Sequence, residues 1–223
     1  MALIVSVANQ KGGSGKTTTA QQLATELSTA GYRIHVLDMD PQASLTQWYR
    51  IRSRLNIHTF KVESVASGIL EDELVAYKQN TDLDIVLVDC PGNIVDITLH
   101  VLKYSDVVVC PVRATGIDVT ATKSMVRSIE MAREQGSQIR LLVFHNAKHG
   151  SRRLDASALE EMVRIFRPGE NTFILKTAIT DTAAIAEAGM SGKSVREYAP
   201  KSDSAKLYLK LTKEILQCLS TTA

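Results

Sequence analysis

The sequence has few of the residues that usually mark secreted or membrane-spanning chains. Of its 223 residues only three are cysteine and only 5% are aromatic. The cysteines (Cys90, Cys110 and Cys218) are odd in number and lie far apart in apolar surroundings, which favours reduced thiols over a disulfide framework. No apolar run approaches the roughly 18 residues that span a bilayer, and the first residues lack the charged start of a signal peptide. These absences predict a soluble protein of the cytoplasm.

Net charge is also nearly absent, because 26 basic and 24 acidic residues leave a formal charge of +2. The two signs are unevenly distributed along the chain. Residues 1–144 carry 14 basic and 15 acidic side chains, whereas residues 145–223 carry 12 and 9. The total therefore indicates nothing about nucleic acid, but any cationic surface is expected in the last third of the chain.

Short apolar runs alternate with amphipathic helical patterns along the whole chain. The runs at residues 3–8, 33–37, 84–88, 107–112 and 139–144 are typical of strands buried on both faces. Helical spacing at residues 20–30, 120–135 and 155–166 ends at Gly31, Gly136 and Pro168. The alternation predicts an α/β fold: a mostly parallel twisted sheet with helices on both faces. No linker, repeat or low-complexity tract interrupts the pattern, so residues 1–223 are predicted to form a single domain.

The turn after the first predicted strand reads NQKGGSGKTT at residues 9–18 and leads into a helix. Glycines let successive backbone N–H groups point inward, and the helix N-terminus adds the positive end of its dipole. Lys16 supplies a cation for the β- and γ-phosphates, and the Thr17 hydroxyl is placed to ligate Mg²⁺. The strict P-loop pattern has glycine six residues before that lysine, where this chain has Gln10, followed by Lys11. The predicted nucleotide-binding residues of this turn are Lys11, Gly12, Gly13, Ser14, Gly15, Lys16, Thr17 and Thr18.

Polar side chains follow the later predicted strands, where parallel sheets bind their ligands. Asp38 and Asp40 stand two residues apart after the second strand, so both can face one site. Four apolar residues ending in Asp89 match a Walker B strand, whose acid holds Mg²⁺ through water. Pro111 and Asn146 fall at the next two strand ends, and an asparagine there is also an ordinary turn former.

The loop with Lys11 ahead of Lys16, together with Asp40-Pro41-Gln42 and the Asp89 strand, resembles the deviant P-loop of the ParA/MinD family of ATPases. The resemblance covers nearly the whole chain and is strongest to short plasmid-partition ParA proteins that lack an N-terminal helix-turn-helix. It implies a P-loop ATPase that forms a homodimer on ATP, with Lys11 reaching the partner's phosphates. Lys11, Lys16 and Asp40 would be catalytic: Asp40 would position the attacking water and contact the water shell of the Mg²⁺, with Asp38 as an accessory. Asn146 would read the adenine edge, and any base contact from residues 177–181 would come from the backbone.

The same resemblance implies a biological role and partners. The chain would be a magnesium-dependent plasmid-partition ATPase of the nucleoid that binds DNA nonspecifically and hydrolyses ATP when a ParB-like centromere-binding protein stimulates it. Operator-specific binding would belong to that partner. DNA contact would be electrostatic, and Asp203 stands where a second basic residue is common in the family. The candidate DNA-binding residues are Arg152, Arg153, Lys193, Arg196, Lys201 and Lys206, with Lys210 and Lys213 beyond them.

Other roles on the same scaffold stay open at this point. A MinD-like membrane ATPase needs a C-terminal amphipathic anchor, but the stripe of Leu207, Leu211, Ile215 and Cys218 is expected to dock on the sheet, so no membrane partner is predicted. An iron–sulfur carrier needs clustered cysteines, and the sequence has no Cys-x-x-Cys. Positioning of chemoreceptors or microcompartments, a metabolic ligase and a nonenzymatic nucleotide-binding scaffold remain alternatives.

Overall fold

The computed structural model describes residues 1–65, 70–92, 95–113, 123–148 and 152–220. In these residues seven strands form one sheet with the order β3-β2-β4-β1-β5-β6-β7. Every registered strand pair is parallel, which confirms the predicted α/β sheet. The strands are β1 (Leu3–Val7), β2 (Ile34–Asp38), β3 (Lys61–Ser64), β4 (Ile85–Asp89), β5 (Val107–Arg113), β6 (Arg140–Asn146) and β7 (Thr172–Ile174).

The described residues also form nine helices, which connect the strands and flank the sheet. They are α1 (Lys16–Thr29), α2 (Ser44–Arg54), α3 (Leu70–Gln79), α4 (Val95–Tyr104), α5 (Lys123–Glu134), α6 (Arg152–Phe166), α7 (Ala183–Met190), α8 (Val195–Tyr198) and α9 (Asp203–Ser220). The helix predicted over residues 120–135 corresponds to α5, and residues 120–122 lie outside the described residues. The helix predicted at residues 155–166 corresponds to α6, which begins three residues earlier, at Arg152.

Two apolar cores lie on opposite faces of the sheet, because successive side chains of a strand point to opposite faces. On β1, Ile4 packs in the core with α3 to α6, and Val5 packs in the core with α1, α2 and α7 to α9. The C-terminal helix contributes Leu211 and Ile215, which are 0% and 2% exposed, to the second core. The apolar stripe of α9 therefore docks on the protein, as predicted.

Pro111 lies inside β5 rather than at its end, and the pairing of the strand explains how it is accommodated. β1 pairs with β5 only through Val107–Val109, whereas β6 pairs as far as Arg113. The missing N–H of proline thus falls where the β1 side of the strand carries no ladder bond.

The cysteines are free thiols: Cys90 and Cys110 are buried and Cys218 is half-buried. Burial raises the pKa of Cys110 to about 12, so this thiol stays protonated and packs as a small apolar residue. In the described part of the chain, none of the helices combines the length and the apolarity needed to cross a membrane.

Candidate functional site

A cleft of about 720 Å³ opens where the carboxyl ends of the central strands meet, the position at which open α/β sheets bind ligands. Its volume falls in the range of small-molecule and cofactor sites. The cleft brings together residues that the sequence predicts for one nucleotide site. The predicted residues that line it are Gly12, Gly13, Gly15, Lys16, Thr17, Thr18, Asp40 and Asn146.

The turn between β1 and α1 forms a cradle with no room for a side chain at its centre. Gly15 precedes α1 with φ 95°, in the left-handed region that favours glycine. A Cβ at Gly15 would lie 2.2 Å from Asn146 Nδ2, and that amide donates to the Ser14 carbonyl at 2.8 Å. The end of β6 thus fixes the loop, which lines the cleft directly before a helix N-terminus, the kind of position that binds phosphate.

The two lysines of the loop occupy different positions. Lys16 is 7% exposed, and its Nζ donates to the Lys11 carbonyl at 3.3 Å. A Cβ on Gly92, in the turn after β4, would lie 3.1 Å from that Nζ, so the absence of a side chain there leaves room for the ammonium group. In the described part of the chain the cleft is lined by Lys16 but not by Lys11, which is half-exposed. Of the two loop lysines, Lys16 is therefore the one that lines this cleft.

Two side chains that were not assigned a role from sequence hold the loop from behind. Asn9 is buried, donates to the Pro111 carbonyl at 2.8 Å and accepts from the Lys11 N–H at 3.0 Å. Gln10 Nε2 donates to Ser128 Oγ on α5 at 2.8 Å. The glutamine that departs from the strict P-loop pattern thus ties the loop to α5.

The two carboxylates at the end of β2, Asp38 and Asp40, have different positions and partners. Asp40 lines the cleft and accepts from the Gln42 N–H at 2.9 Å. Asp38 is 1% exposed and accepts at 2.8 Å from both the N–H and the hydroxyl of Thr46. Only Asp40 faces the cleft, because Asp38 is used to tie β2 to the first turn of α2.

Asp89 ends β4 behind Thr17 and is 0% exposed. Burial raises its pKa to about 8, while the Thr17 hydroxyl and Lys16 act in the opposite direction. Neither carboxylate oxygen has a well-formed hydrogen bond in the described residues. A buried, unpartnered carboxylate beside a hydroxyl fits a magnesium site in which Thr17 is a ligand and Asp89 binds the metal's water.

The far end of the cleft is formed by the loop after β7 and by α7. Ile179, Thr180 and Asp181 line it together with Asn146. The N–H of Ile179 already donates to the His145 carbonyl at 2.9 Å. This donor is therefore already used inside the protein. Sequence reasoning also missed residues that line the cleft outside the P-loop, among them Gln21, Arg113, Ile185 and Met190, because no motif marks them.

The candidate DNA-binding residues fall into three groups. Lys201 and Lys206 are exposed, as are Lys210 and Lys213, and the spacing of Lys206, Lys210 and Lys213 places these three on one face of α9. Arg196 pairs with the buried carboxylate of Glu26 at 3.0 Å, and the Lys193 carbonyl accepts from Trp48 Nε1 at 3.3 Å. The side chains of Arg152 and Arg153 lie outside the described residues.

Several known proteins are similar to this chain over almost its full length. The chromosome-partitioning ATPase Soj of Thermus thermophilus is 28% identical over 95% of this chain and 94% of its own. The maintenance of carboxysome distribution protein A of Halothiobacillus neapolitanus is 26% identical over 92% of this chain and 91% of its own. Among solved structures, the septum site-determining protein MinD of Pyrococcus horikoshii, complexed with Mg-ADP, matches with a TM-score of 0.76 and 17% identity over 100% of this chain and 99% of that one.

The fold likeness to MinD agrees with the seven-stranded parallel sheet and its flanking helices. Residues 5–195 match the model of the CobQ/CobB/MinD/ParA nucleotide binding domain. That span includes the P-loop, both strand-end carboxylates and Asn146, so the matched region contains the whole cradle. The chain belongs to the CobQ/CobB/MinD/ParA nucleotide-binding domain family.

Proposed function

We propose that this chain is an ATP- and Mg²⁺-dependent ATPase that partitions plasmid or similar DNA. In this proposal ATP closes a homodimer, the dimer binds DNA of the nucleoid nonspecifically, and a ParB-like partner in the cytoplasm stimulates hydrolysis. One folded domain, residues 1–223, would carry all of these steps. The observation that supports it best is the convergence of Lys16, Thr17 and Asp40 in one cleft, with Asp89 buried behind them.

The residues of the cleft suit phosphoryl transfer to water. The amides of the P-loop and the Lys16 ammonium would bind the phosphates and offset the charge that spreads over them in the transition state. Bound Mg²⁺ would neutralise phosphate charge, with Thr17 as a ligand and Asp89 hydrogen-bonding its water. Asp40 lines the same cleft and would orient the attacking water.

Lys11 carries the dimerisation part of the proposal. Its carbonyl supports Lys16, while the described lining of its own cleft does not include it. A lysine at the rim of a phosphate site can reach the phosphates of a facing copy, and doing so would complete each site only in the dimer. If Lys11→Ala dimerises and hydrolyses ATP like the wild type, this assignment is wrong.

The DNA-binding part rests on the exposed lysines of the last third of the chain. Two copies of Lys201 and of the α9 lysines on one face of a dimer would neutralise several phosphates and release their counterions. The predicted slope of log Kd against log salt is then steep, roughly 0.9 per phosphate neutralised.

A second candidate is the positioning of another cargo by the same ATPase cycle. The carboxysome-distribution relative, at 26% identity over 92% of this chain, favours this alternative specifically. Membrane positioning is less well supported, since the apolar stripe of α9 is buried in the protein's own core.

A salt titration of DNA binding, with and without ATP and Mg²⁺, separates these possibilities. Partition predicts ATP-dependent binding to DNA of unrelated sequences that weakens steeply with salt. A flat salt dependence, together with ATP-dependent binding to anionic liposomes, would contradict it. Absence of DNA binding in every nucleotide state would favour a different cargo.

A further inference from the structure

Residues 193–201, called here the basic segment, are attached to the first helix of the nucleotide site. The Val195 N–H donates to Gln22 Oε1 on α1 at 2.8 Å. Arg196 Nη1 donates to Glu26 Oε2 on the same helix at 3.0 Å, and that glutamate is 3% exposed. The helix that begins in the P-loop therefore holds one side of the basic segment.

The other side of the basic segment is held by the C-terminal end of α2. Arg52 is 0% exposed and donates to both carboxylate oxygens of Glu197, at 2.6 and 2.7 Å. Its guanidinium carbon lies 5.3 Å from the centre of the Trp48 ring, and Trp48 in turn donates to the Lys193 carbonyl. We call Arg52, Glu197, Trp48 and Lys193 the α2 joint.

Glu197 is the centre of the α2 joint, because one carboxylate serves two elements. Besides the two bonds from Arg52, Oε2 accepts from the Ser194 N–H at 2.8 Å, which closes the capping box of α8. A bidentate pair between planar groups fixes orientation as well as distance. The pair thus fixes α8 to α2 in a defined orientation, on the side away from its bonds to α1.

The opposite end of α2 lies at the nucleotide cleft. Thr46 in its first turn donates twice to Asp38, and the Ala43 N–H donates to the Asp40 carbonyl at 2.8 Å. Ala43 adopts φ 51°, a conformation that is uncommon for a residue with a Cβ. An eleven-residue helix spans roughly 16 Å, so α2 is a short rigid rod between the Asp40 turn and the α2 joint.

We propose that Arg52 and Glu197 are a positioning pair. Through this pair, the orientation of the basic segment depends on which nucleotide is bound in the cleft beside the Asp40 turn. A shift of that turn moves α2 as a body, and the bidentate pair passes the movement to α8 and its flanking lysines. The transmission of movement from the Asp40 turn through α2 to α8, called the mechanical link, does not depend on the proposed function. An effect of this movement on DNA affinity rests on the proposed function.

Burial of Arg52, whose partner Glu197 has a side chain that is 24% exposed, supports a positioning role over simple stabilisation. A fully buried arginine is costly to desolvate, and well-packed apolar residues often replace such pairs without loss of stability. What apolar residues do not reproduce is the fixed angle between two planar groups. The pair therefore contributes geometry that packing alone would not supply.

The test uses the full-length double variant Arg52→Met/Glu197→Gln. Removing both charges avoids leaving one buried and unpaired, and glutamine at this position still supports a capping box. The matched control is Arg33→Met/Asp84→Asn, which removes another bidentate pair, with bonds of 2.7 and 3.1 Å, at the start of β2. Thermal melts establish that both variants fold.

Hydrogen–deuterium exchange of residues 194–199, with and without a nonhydrolysable ATP analogue and Mg²⁺, gives the direct measurement. We expect the analogue to change exchange there about fivefold or more in the wild type and the control, the low end of typical coupling, and less than about twofold in the positioning-pair variant. Analogue affinity should be the same in all three proteins. An unchanged response in the positioning-pair variant, or no response in the wild type, overturns the inference.

DNA binding by the same proteins distinguishes the two proposals. If the wild type binds DNA more tightly with the analogue, the positioning-pair variant should lose that difference and keep the weaker affinity. If exchange responds as expected but no protein binds DNA, the proposed function fails and the mechanical link stands. If DNA binding depends on the analogue equally in all three proteins, the pair does not control DNA binding and the proposed function stands.

Discussion

Replacement of Gly15 by alanine tests the geometry of the phosphate cradle. The new methyl group would lie 2.2 Å from Asn146 Nδ2, and the backbone at φ 95° is unfavourable for any residue with a Cβ. Two neighbouring glycines separate these effects. Gly13 has φ 71° with open space around its Cβ position, and Gly12 has open space and no positive φ.

The expected losses of unfolding free energy follow from these differences. A left-handed alanine costs about 1–2 kcal/mol, and the stiffer unfolded chain returns about 0.4–1, which leaves about 1 kcal/mol for Gly13→Ala. Gly15→Ala must also displace Asn146 from the buried Ser14 carbonyl, at about 1–3 kcal/mol. We therefore expect about 2–4 kcal/mol for Gly15→Ala and about zero or a slight gain for Gly12→Ala.

Urea denaturation without nucleotide measures all three, with the fluorescence of the single, buried Trp48 as the reporter. Combining Gly15→Ala with Asn146→Ala should cost less than the sum of the two single changes, because the clash then disappears. Equal losses for Gly13→Ala and Gly15→Ala would refute the reasoning, since they would show that Asn146 is not fixed against the loop.

Three further predictions concern catalysis, the core and pH. Lys16→Ala should abolish nucleotide binding in calorimetry, whereas Asp40→Ala should retain ATP and lose hydrolysis; turnover by Asp40→Ala would contradict its role. Leu211→Ala should cost about 2–5 kcal/mol in urea denaturation, while Lys210→Ala on the exposed face of α9 should cost almost nothing. Hydrogen bonds from Arg33 lower the pKa of Asp84 to about 2 from 3.8. The difference in unfolding free energy between the wild type and Asp84→Asn should therefore have its full size above pH 3.8 and shrink as the pH falls toward 2. A difference that is constant from pH 6 to 3 would contradict this.

Much of the fold and the phosphate site could be predicted because the signals are local. Buried parallel strands read as apolar runs, and the P-loop needs glycines and a lysine within a few residues. β3 was missed because Lys61–Ser64 is an edge strand with polar, mostly exposed side chains. α2 was not predicted, although its Trp48 and Leu45 are buried, because arginines interrupt its apolar pattern.

Long-range pairing accounts for what the sequence could not show. Arg52 reads as one more surface arginine, and only the fold reveals that Glu197, 145 residues away, neutralises it in a buried position. Asp38 and Asp40 have the same spacing as a catalytic pair, yet the partner Thr46 removes Asp38 from the cleft. Arg196 was chosen for its charge, and its bond to Glu26 gives that charge an internal partner.

In the proposed function, ATP joins two copies of this chain through the P-loop. Sedimentation velocity of the Asp40→Ala variant, with ATP and Mg²⁺ and then with ADP, tests this most directly. We expect a dimer with ATP, a monomer with ADP, and a monomer in both states when Lys11→Ala is added. A monomer with saturating ATP, or a dimer that is indifferent to nucleotide, would contradict it.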